Sequence, residues 1–260
     1  MKLIIRTGIA MLILAIVLIA LSAGFMRAHA AAVVATENRP VDAQVVNIVM
    51  SGSIDLVLQQ ASNPTMLIKG EASMLPRVTS KIEGNTLFIG TRGLIITTRQ
   101  PLIVELGLPN LEKLQMQGSG DGTLKGFRGA KLNLETRGSG DLKFEGEYQQ
   151  IKALSAGSGD MKLVVLNNDM LELTLHGSGD GFVKGQTKIL NVKLSGSGDL
   201  DAASLKAGEV TVDSSGSANS RVFAIKEIKV HATGSGDVTV FGNPVKRNVD
   251  HAGSAEIHWQ

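Results

Sequence analysis

The chain contains no cysteine. That absence excludes a disulfide scaffold, thiolate zinc sites, a cysteine nucleophile and a lipid-anchored N-terminal cysteine. Aromatic residues make up 3% of the 260, with one Trp and one Tyr, so any core must be aliphatic. Six prolines are too few for a Pro-rich linker or a collagen repeat. A net charge of +2 is too small for a nucleic-acid footprint, so no nucleic-acid partner is expected. Charged residues reach 19% against 43% hydrophobic, a balance that supports a buried core and argues against wholesale disorder.

Long apolar runs are also scarce; one occurs, at the N-terminus. Lys2 and Arg6 precede an uncharged stretch from Gly8 to Phe25, and Ala28-His29-Ala30 then supplies small residues two apart. This reads as a secretory signal over 1–30, cut after Ala30. The competing reading is an uncleaved anchor, for which a run of about 18 residues is short by the ~20-residue rule. No later segment approaches this length, so no membrane span is expected once the signal is removed. Without Lys2, Arg6 and Arg27 the chain keeps 23 basic residues against 24 acidic ones, and its charge gives no hint of a partner.

What is abundant is glycine, at 30 residues, and much of it repeats. Gly-Ser-Gly-Asp begins at Gly118, Gly138, Gly157, Gly177, Gly196 and Gly234, with degenerate copies Gly216-Ser217-Ala218-Asn219 and Gly253-Ser254-Ala255-Glu256. The starts are 18–20 residues apart. Gly52-Ser53-Ile54-Asp55 is a candidate outlying copy. Six and four residues before each tetrapeptide stand Leu132 and Leu134, Leu171 and Leu173, Leu190 and Val192, Val210 and Val212, Ile228 and Val230. Polar residues such as Glu172, Lys193 and Lys229 alternate with them. After the Asp the alternation resumes, as in Leu142-Lys143-Phe144 and Met161-Lys162-Leu163. A period of two marks half-buried strands, and helices would not tolerate paired glycines at this frequency.

A unit of 19–20 residues with two or three short strands fits one rung of an all-β solenoid. A rung cannot bury its own apolar face, but stacking rungs about 4.8 Å apart builds a continuous aliphatic column. The rival is a β-propeller, whose blades need about 40–50 residues, twice this period. Residues 41–110 carry candidate strands at 45–49, 65–68, 86–89 and 102–106 without the strict repeat. They are expected to form the N-terminal cap and first, longer rungs of a single solenoid domain over 41–258, with the repeats proper in 111–258. Residues 31–40 are expected to be a loose leader, and Trp259 to cover the last rung.

The corner tetrapeptide has a structural reading and a chemical one. Gly supplies positive φ and close approach, while Asp and Ser side chains bond nearby backbone N–H groups. Stacking would also align Asp121, Asp141, Asp160, Asp180 and Asp199. Neighbouring carboxylates about 4.8 Å apart repel by roughly 1 kcal/mol in water and 3–4 at an effective dielectric of 20. Lys143, Lys162 and Arg221 are partial counter-charges, and bridging calcium is another. The motif superficially resembles the calcium rolls of secreted toxins, whose period is nine. Asn219 and Glu256 in place of Asp favour a backbone acceptor over an ion. The histidines show no metal-ligand spacing, and no nucleophile elbow, P-loop or dinucleotide fingerprint sits between a strand and a helix. No catalytic, cofactor-binding or metal residue is therefore assigned, and no cofactor is expected.

The leader, the strand-rich opening and the corner repeats together resemble the head GIN domain family of auto-transporter adhesins, over roughly Val41 to His258. Val46-Asn47-Ile48-Val49-Met50-Ser51-Gly52-Ser53-Ile54-Asp55-Leu56-Val57 and Ile82-Glu83-Gly84-Asn85-Thr86-Leu87-Phe88-Ile89 carry the resemblance beside the corners. It implies a right-handed parallel β-helix-like fold in a bacterial envelope protein, exported to the periplasm or cell surface, and it supplies no catalytic residues. Nothing after the repeats is long enough for a translocator barrel, a departure that speaks against auto-transport and not against adhesion. The expectation is a non-enzymatic binding scaffold for an envelope polymer or protein. One alternative is a calcium-dependent polysaccharide lyase using Arg137 or Lys162. Another is a structural envelope spacer.

Overall fold

The structure, a computed structural model, describes residues 33–93 and 100–260. The signal expected over 1–30 lies outside the described residues. Residues 34–260 form one compact unit, and its strands follow one another almost without interruption. They are β1 (Val34–Arg39), β2 (Asn47–Gly52), β3 (Ile54–Gln60), β4 (Thr65–Glu71), β5 (Val78–Glu83), β6 (Thr86–Thr91), β7 (Leu102–Leu108) and β8 (Lys113–Gly118). Six long strands follow: β9 (Gly122–Gly138), β10 (Leu142–Gly157), β11 (Met161–Gly177), β12 (Gly181–Gly196), β13 (Leu200–Gly216) and β14 (Ser220–Gly234). The described chain ends with β15 (Val238–Phe241), β16 (Lys246–Gly253) and β17 (Ile257–Trp259).

The long strands pair in parallel with their sequence neighbours from β9 to β14. Each runs from one Gly-Ser-Gly-Asp corner to the next and bends midway, where the pairing register shifts. The result is a β-solenoid of about seven turns, 74% strand and with almost no helix. Among the described residues no helix is long and apolar enough to cross a membrane. The core is the expected aliphatic column: Leu132, Leu134, Leu171, Leu173, Leu190, Val192, Val210, Val212, Ile228 and Val230 are all buried. Lys193 and Lys229 face solvent, whereas Glu172 is half-buried.

The first rungs do not stack in chain order. β2 lies between β6 and β8, and β3 between β7 and β9, all in parallel. The early strands are thus threaded into the stack, with the rung containing Gly52–Asp55 directly below the rung containing Gly118–Asp121. Beyond it the edges of β7 and β6 are covered by β4 and β5, both antiparallel. The expected loose leader is a correction: Val34–Arg39 is β1, paired antiparallel with β4 along its whole length. Arg39 fastens it, its guanidinium donating to the carbonyls of Val78 at 2.8 Å and Leu75 at 3.2 Å. Antiparallel cover of this kind occupies an edge that a parallel stack would leave open for aggregation.

At the other end Trp259 stands in register with buried Val240 and is itself 39% exposed. The Arg247 guanidinium lies 4.2 Å from the centre of its ring. The single Tyr, Tyr148, is buried near Phe144, and its hydroxyl donates to the carbonyl of Leu111 at 2.7 Å.

Candidate ligand-binding groove

The corners stack into one column that includes the outlying copy. A Cβ placed on Gly138, at φ +130°, would sit 2.0 Å from the carbonyl oxygen of Gly118, and one on Gly159 2.0 Å from that of Gly140. Glycine is needed because backbone passes directly over backbone. The two corners with Ala in the third position ride higher: the same probe at Gly216 and Gly253 meets the oxygen below at 2.5 Å.

The aspartates do accept backbone hydrogen bonds, but not within their own turn as the sequence suggested. Each acts on the rung above. The N–H of Asp121 donates to Oδ1 of Asp55, that of Asp141 to Asp121 and that of Asp160 to Asp141, each at 2.9 Å. The ladder continues from Asp180 to Asp160 at 3.1 Å and from Asp199 to Asp180 at 2.9 Å, then passes through Asn219 and Asp237 to Glu256. Charge-assisted bonds of this type offset the repulsion between stacked carboxylates. Glu256 is the last member of the ladder among the described residues, and its carboxylate lies 3.7 Å from His258 Nε2. Among the described residues no three His, Asp or Glu side chains gather as a metal's donor set.

The expected counter-charges divide. Lys162 Nζ lies 3.7 Å from Asp160, Arg221 pairs instead with Asp201 at 2.9 Å, and Lys143 has no ion pair among the described residues. The two basic residues weighed for a lyase are not brought together. Arg137 pairs with Glu135 at 2.6 Å and lines a small cavity of about 10 Å³ near Gly118. Lys162 lines a separate cleft of about 520 Å³ on the outer face of β9–β13.

That cleft was not foreseen. Its floor carries outward-facing positions that break the polar-out rule: Val164 and Phe182 line it, with Leu166 just beyond. Phe182 is 40% exposed and Leu166 43%. Two bulges frame it. Gly126 adds a residue to β9 against β10, and β13 carries extra residues around Ala203–Leu205 against both neighbours. Bulges of this kind bend a strand and re-aim its side chains, and here they bring Asp201 and Ser204 to the cleft. Through Ser204 it continues into a recess of about 340 Å³ at Leu166, Gln186 and Lys206, and then into one of about 770 Å³ at Asn168, Lys188 and Lys226. Buried Asn168 fixes that bend, donating to the Tyr148 carbonyl at 2.8 Å and accepting from Thr187 Oγ1 at 2.7 Å.

The groove is positive. Lys125, Lys143, Lys184, Lys206 and Lys226 line it and form no ion pair among the described residues, against Glu145 and Glu209 as carboxylates in the same position. Lys188 is held by Asp169 at 2.6 Å, Glu147 by Arg128 at 3.2 Å, and Lys162 lies 5.2 Å from the centre of the Phe182 ring. The signal that could have located the groove is present in the sequence: Phe182 and Val164 occupy outward phases that hold polar residues in most other rungs.

Comparison with known proteins agrees with the fold. The family described as "Putative auto-transporter adhesin, head GIN domain" matches residues 46–244. A "Putative lipid binding protein" of Parabacteroides distasonis is similar at 21% identity and a TM-score of 0.75, over 86% of this chain and 96% of that one. A "putative adhesin" of the same organism is similar at 18% identity and a TM-score of 0.77, over 87% and 98%. Another, from Parabacteroides merdae, is similar at 19% identity and 0.74, over 86% and 95%. No curated protein matches the sequence.

Proposed function

The chain belongs to the head GIN domain family, and we propose that it is a non-enzymatic binding scaffold of the bacterial envelope whose ligand-binding face is the lysine-lined groove of β9–β13. The observation that carries this reading is the conjunction of five lysines without ion pairs among the described residues and half-buried Val164 with exposed Leu166 and Phe182 along one continuous groove. Clefts of about 300–1,000 Å³ with apolar walls and a few polar anchors are the usual form of ligand sites. The adhesin description of the family and the names of the similar structures, adhesin and lipid-binding, support a binding role. Export through the N-terminal signal is part of the same reading. Arg137 and Lys162, each weighed alone as the basic residue of a lyase, line separate recesses, and Lys162 lies in the groove itself.

The test is co-sedimentation of the purified protein with isolated bacterial envelope. Wild type should be retained, and the Lys125→Glu, Lys143→Glu, Lys184→Glu triple variant should be lost from the pellet while melting at the same temperature. Equal retention of both proteins would reject the groove as the binding face.

A further inference from the structure

Resting on that reading, we propose that the groove takes a single anionic amphiphile, with a carboxylate, phosphate or sulfate head at Lys125 and Lys143 and an alkyl chain laid over Val164, Leu166 and Phe182. The argument is one of registry. Lys143 stands beside Thr123 and Lys162, and Lys162 beside Phe182, which stands beside Asp201. One column to the side run Lys125, Glu145, Val164, Lys184 and Ser204. Neither column stays positive for more than two consecutive rungs. A polyanion following the solenoid axis would meet Phe182 and then Asp201 in one column, and Glu145 and Val164 in the other. A compact head needs only two strands: Lys125 and Lys143 lie on adjacent strands, diagonally across the pairing, with Thr123 beside Lys143 and Glu145 beside Lys125, two rungs to the side of Val164 and Phe182.

The strip has the shape for one chain. Phe182 on β12 aligns with Lys162, and Leu166 lies four residues further along β11, so the apolar path covers roughly 14 Å at strand spacing. Sugar polymers favour aromatic stacking faces. Of the two aromatic residues lining the cleft, Phe144 is buried and only Phe182 is exposed, and Lys162 already lies 5.2 Å from the centre of its ring. A bilayer is disfavoured by the relief: Val164 and Phe182 line the floor of a cleft whose walls include lysine stems, so a chain must enter the protein and not the reverse.

Calorimetric titration with dodecyl phosphate below its micelle concentration tests this. The expected result is one-to-one binding. Dodecyl maltoside, which keeps the chain and removes the charge, and butyl phosphate, which keeps the charge and shortens the chain, should each bind at least about tenfold more weakly, the effect of a charge-assisted contact or a few buried methylenes. Lys125→Gln with Lys143→Gln should weaken dodecyl phosphate by about tenfold and leave dodecyl maltoside unchanged, whereas Phe182→Ser with Leu166→Ser should weaken both. All four positions are at the surface, and a thermal melt of each variant checks the fold. Saturable binding of polygalacturonate, or of phosphatidylglycerol vesicles, that the lysine changes abolish while dodecyl phosphate fails to bind would overturn the amphiphile and leave the groove as the binding face. Dodecyl phosphate binding indifferent to all four substitutions would overturn both.

Discussion

The backbone N–H of Asp237 donates to Oδ1 of Asn219 at 3.0 Å, and the N–H of Asn219 donates in turn to Oδ1 of Asp199 at 2.8 Å. An amide oxygen and a carboxylate oxygen thus occupy the same place in one ladder and do the same work. The position requires an acceptor that reaches the next rung, not a negative charge.

Asp160→Asn should therefore melt close to wild type. Asp160→Ala removes the acceptor for the Asp180 N–H and should cost about 1–3 kcal/mol in urea unfolding, the range for a donor left without its partner. Equal losses from the two substitutions would show that charge, not the acceptor, holds the rungs. The same ladder already commits one oxygen of each carboxylate, so melts in EDTA and in millimolar calcium should coincide. A bridging ion would instead raise stability by about 2.7 kcal/mol at a hundredfold excess over Kd.

Gly138→Ala should be among the most damaging corner substitutions. It places a Cβ 2.0 Å from the Gly118 oxygen and forces a side chain on to φ +130°. Strain and overpacking together should exceed about 2 kcal/mol. Gly126→Ala also adopts a positive φ but has nothing within 4 Å, so its loss should be smaller and confined to backbone strain. Matched denaturation curves decide; equal losses would mean the rungs do not approach so closely.

Leu173→Ala empties part of the column at a side chain that is 1% exposed and should cost about 2–5 kcal/mol. Lys193→Ala, on the next rung in register with Thr174 and facing solvent, should stay within about 0.5 kcal/mol. A Leu173 loss below that figure would mean the column is not packed there.

Tyr148 supplies an optical probe of the core, because it is the chain's single tyrosine. Burial raises its phenol well above the ordinary value, and the Glu112 carboxylate adds to the shift. The folded state therefore favours the neutral phenol. Its contribution to stability is complete below the unfolded value near pH 10 and is lost as pH rises beyond it. Phenolate absorbance should appear only together with unfolding in an alkaline titration, and Tyr148→Phe should flatten the decline in stability above about pH 10. At neutral pH that variant should lose about 1–3 kcal/mol, since the Leu111 carbonyl is left without its donor. A phenol titrating near pH 10 in the folded protein would contradict the buried placement.

Period alone was enough to read the solenoid. Leu132 to Val230 alternate with polar residues because one strand face is buried, and glycine returns every 18–20 residues because each rung must turn where backbone meets backbone. Those constraints are local, so they are written at fixed spacing along the chain. Gly52-Ser53-Ile54-Asp55 was recognisable for the same reason, although its partner is 66 residues away: Ser53 Oγ lies 2.7 Å from Ser119 Oγ.

The rest was decided by stacking. That β2 and β3 enter the stack between later strands, and that Val34–Arg39 covers an edge, depends on which hydrogen-bonding edges remain open once the rungs assemble. The direction of the aspartate bonds depends on the offset between successive corners, which no single rung contains. The groove depends on the unbroken register that sets Lys125, Glu145, Val164 and Lys184 in one column and Lys143, Lys162 and Phe182 in the next, framed by the bulges in β9 and β13. Sequence fixes which residues each rung presents, and the lateral registry between rungs, a property of the hydrogen-bonded assembly, determines which of them become neighbours.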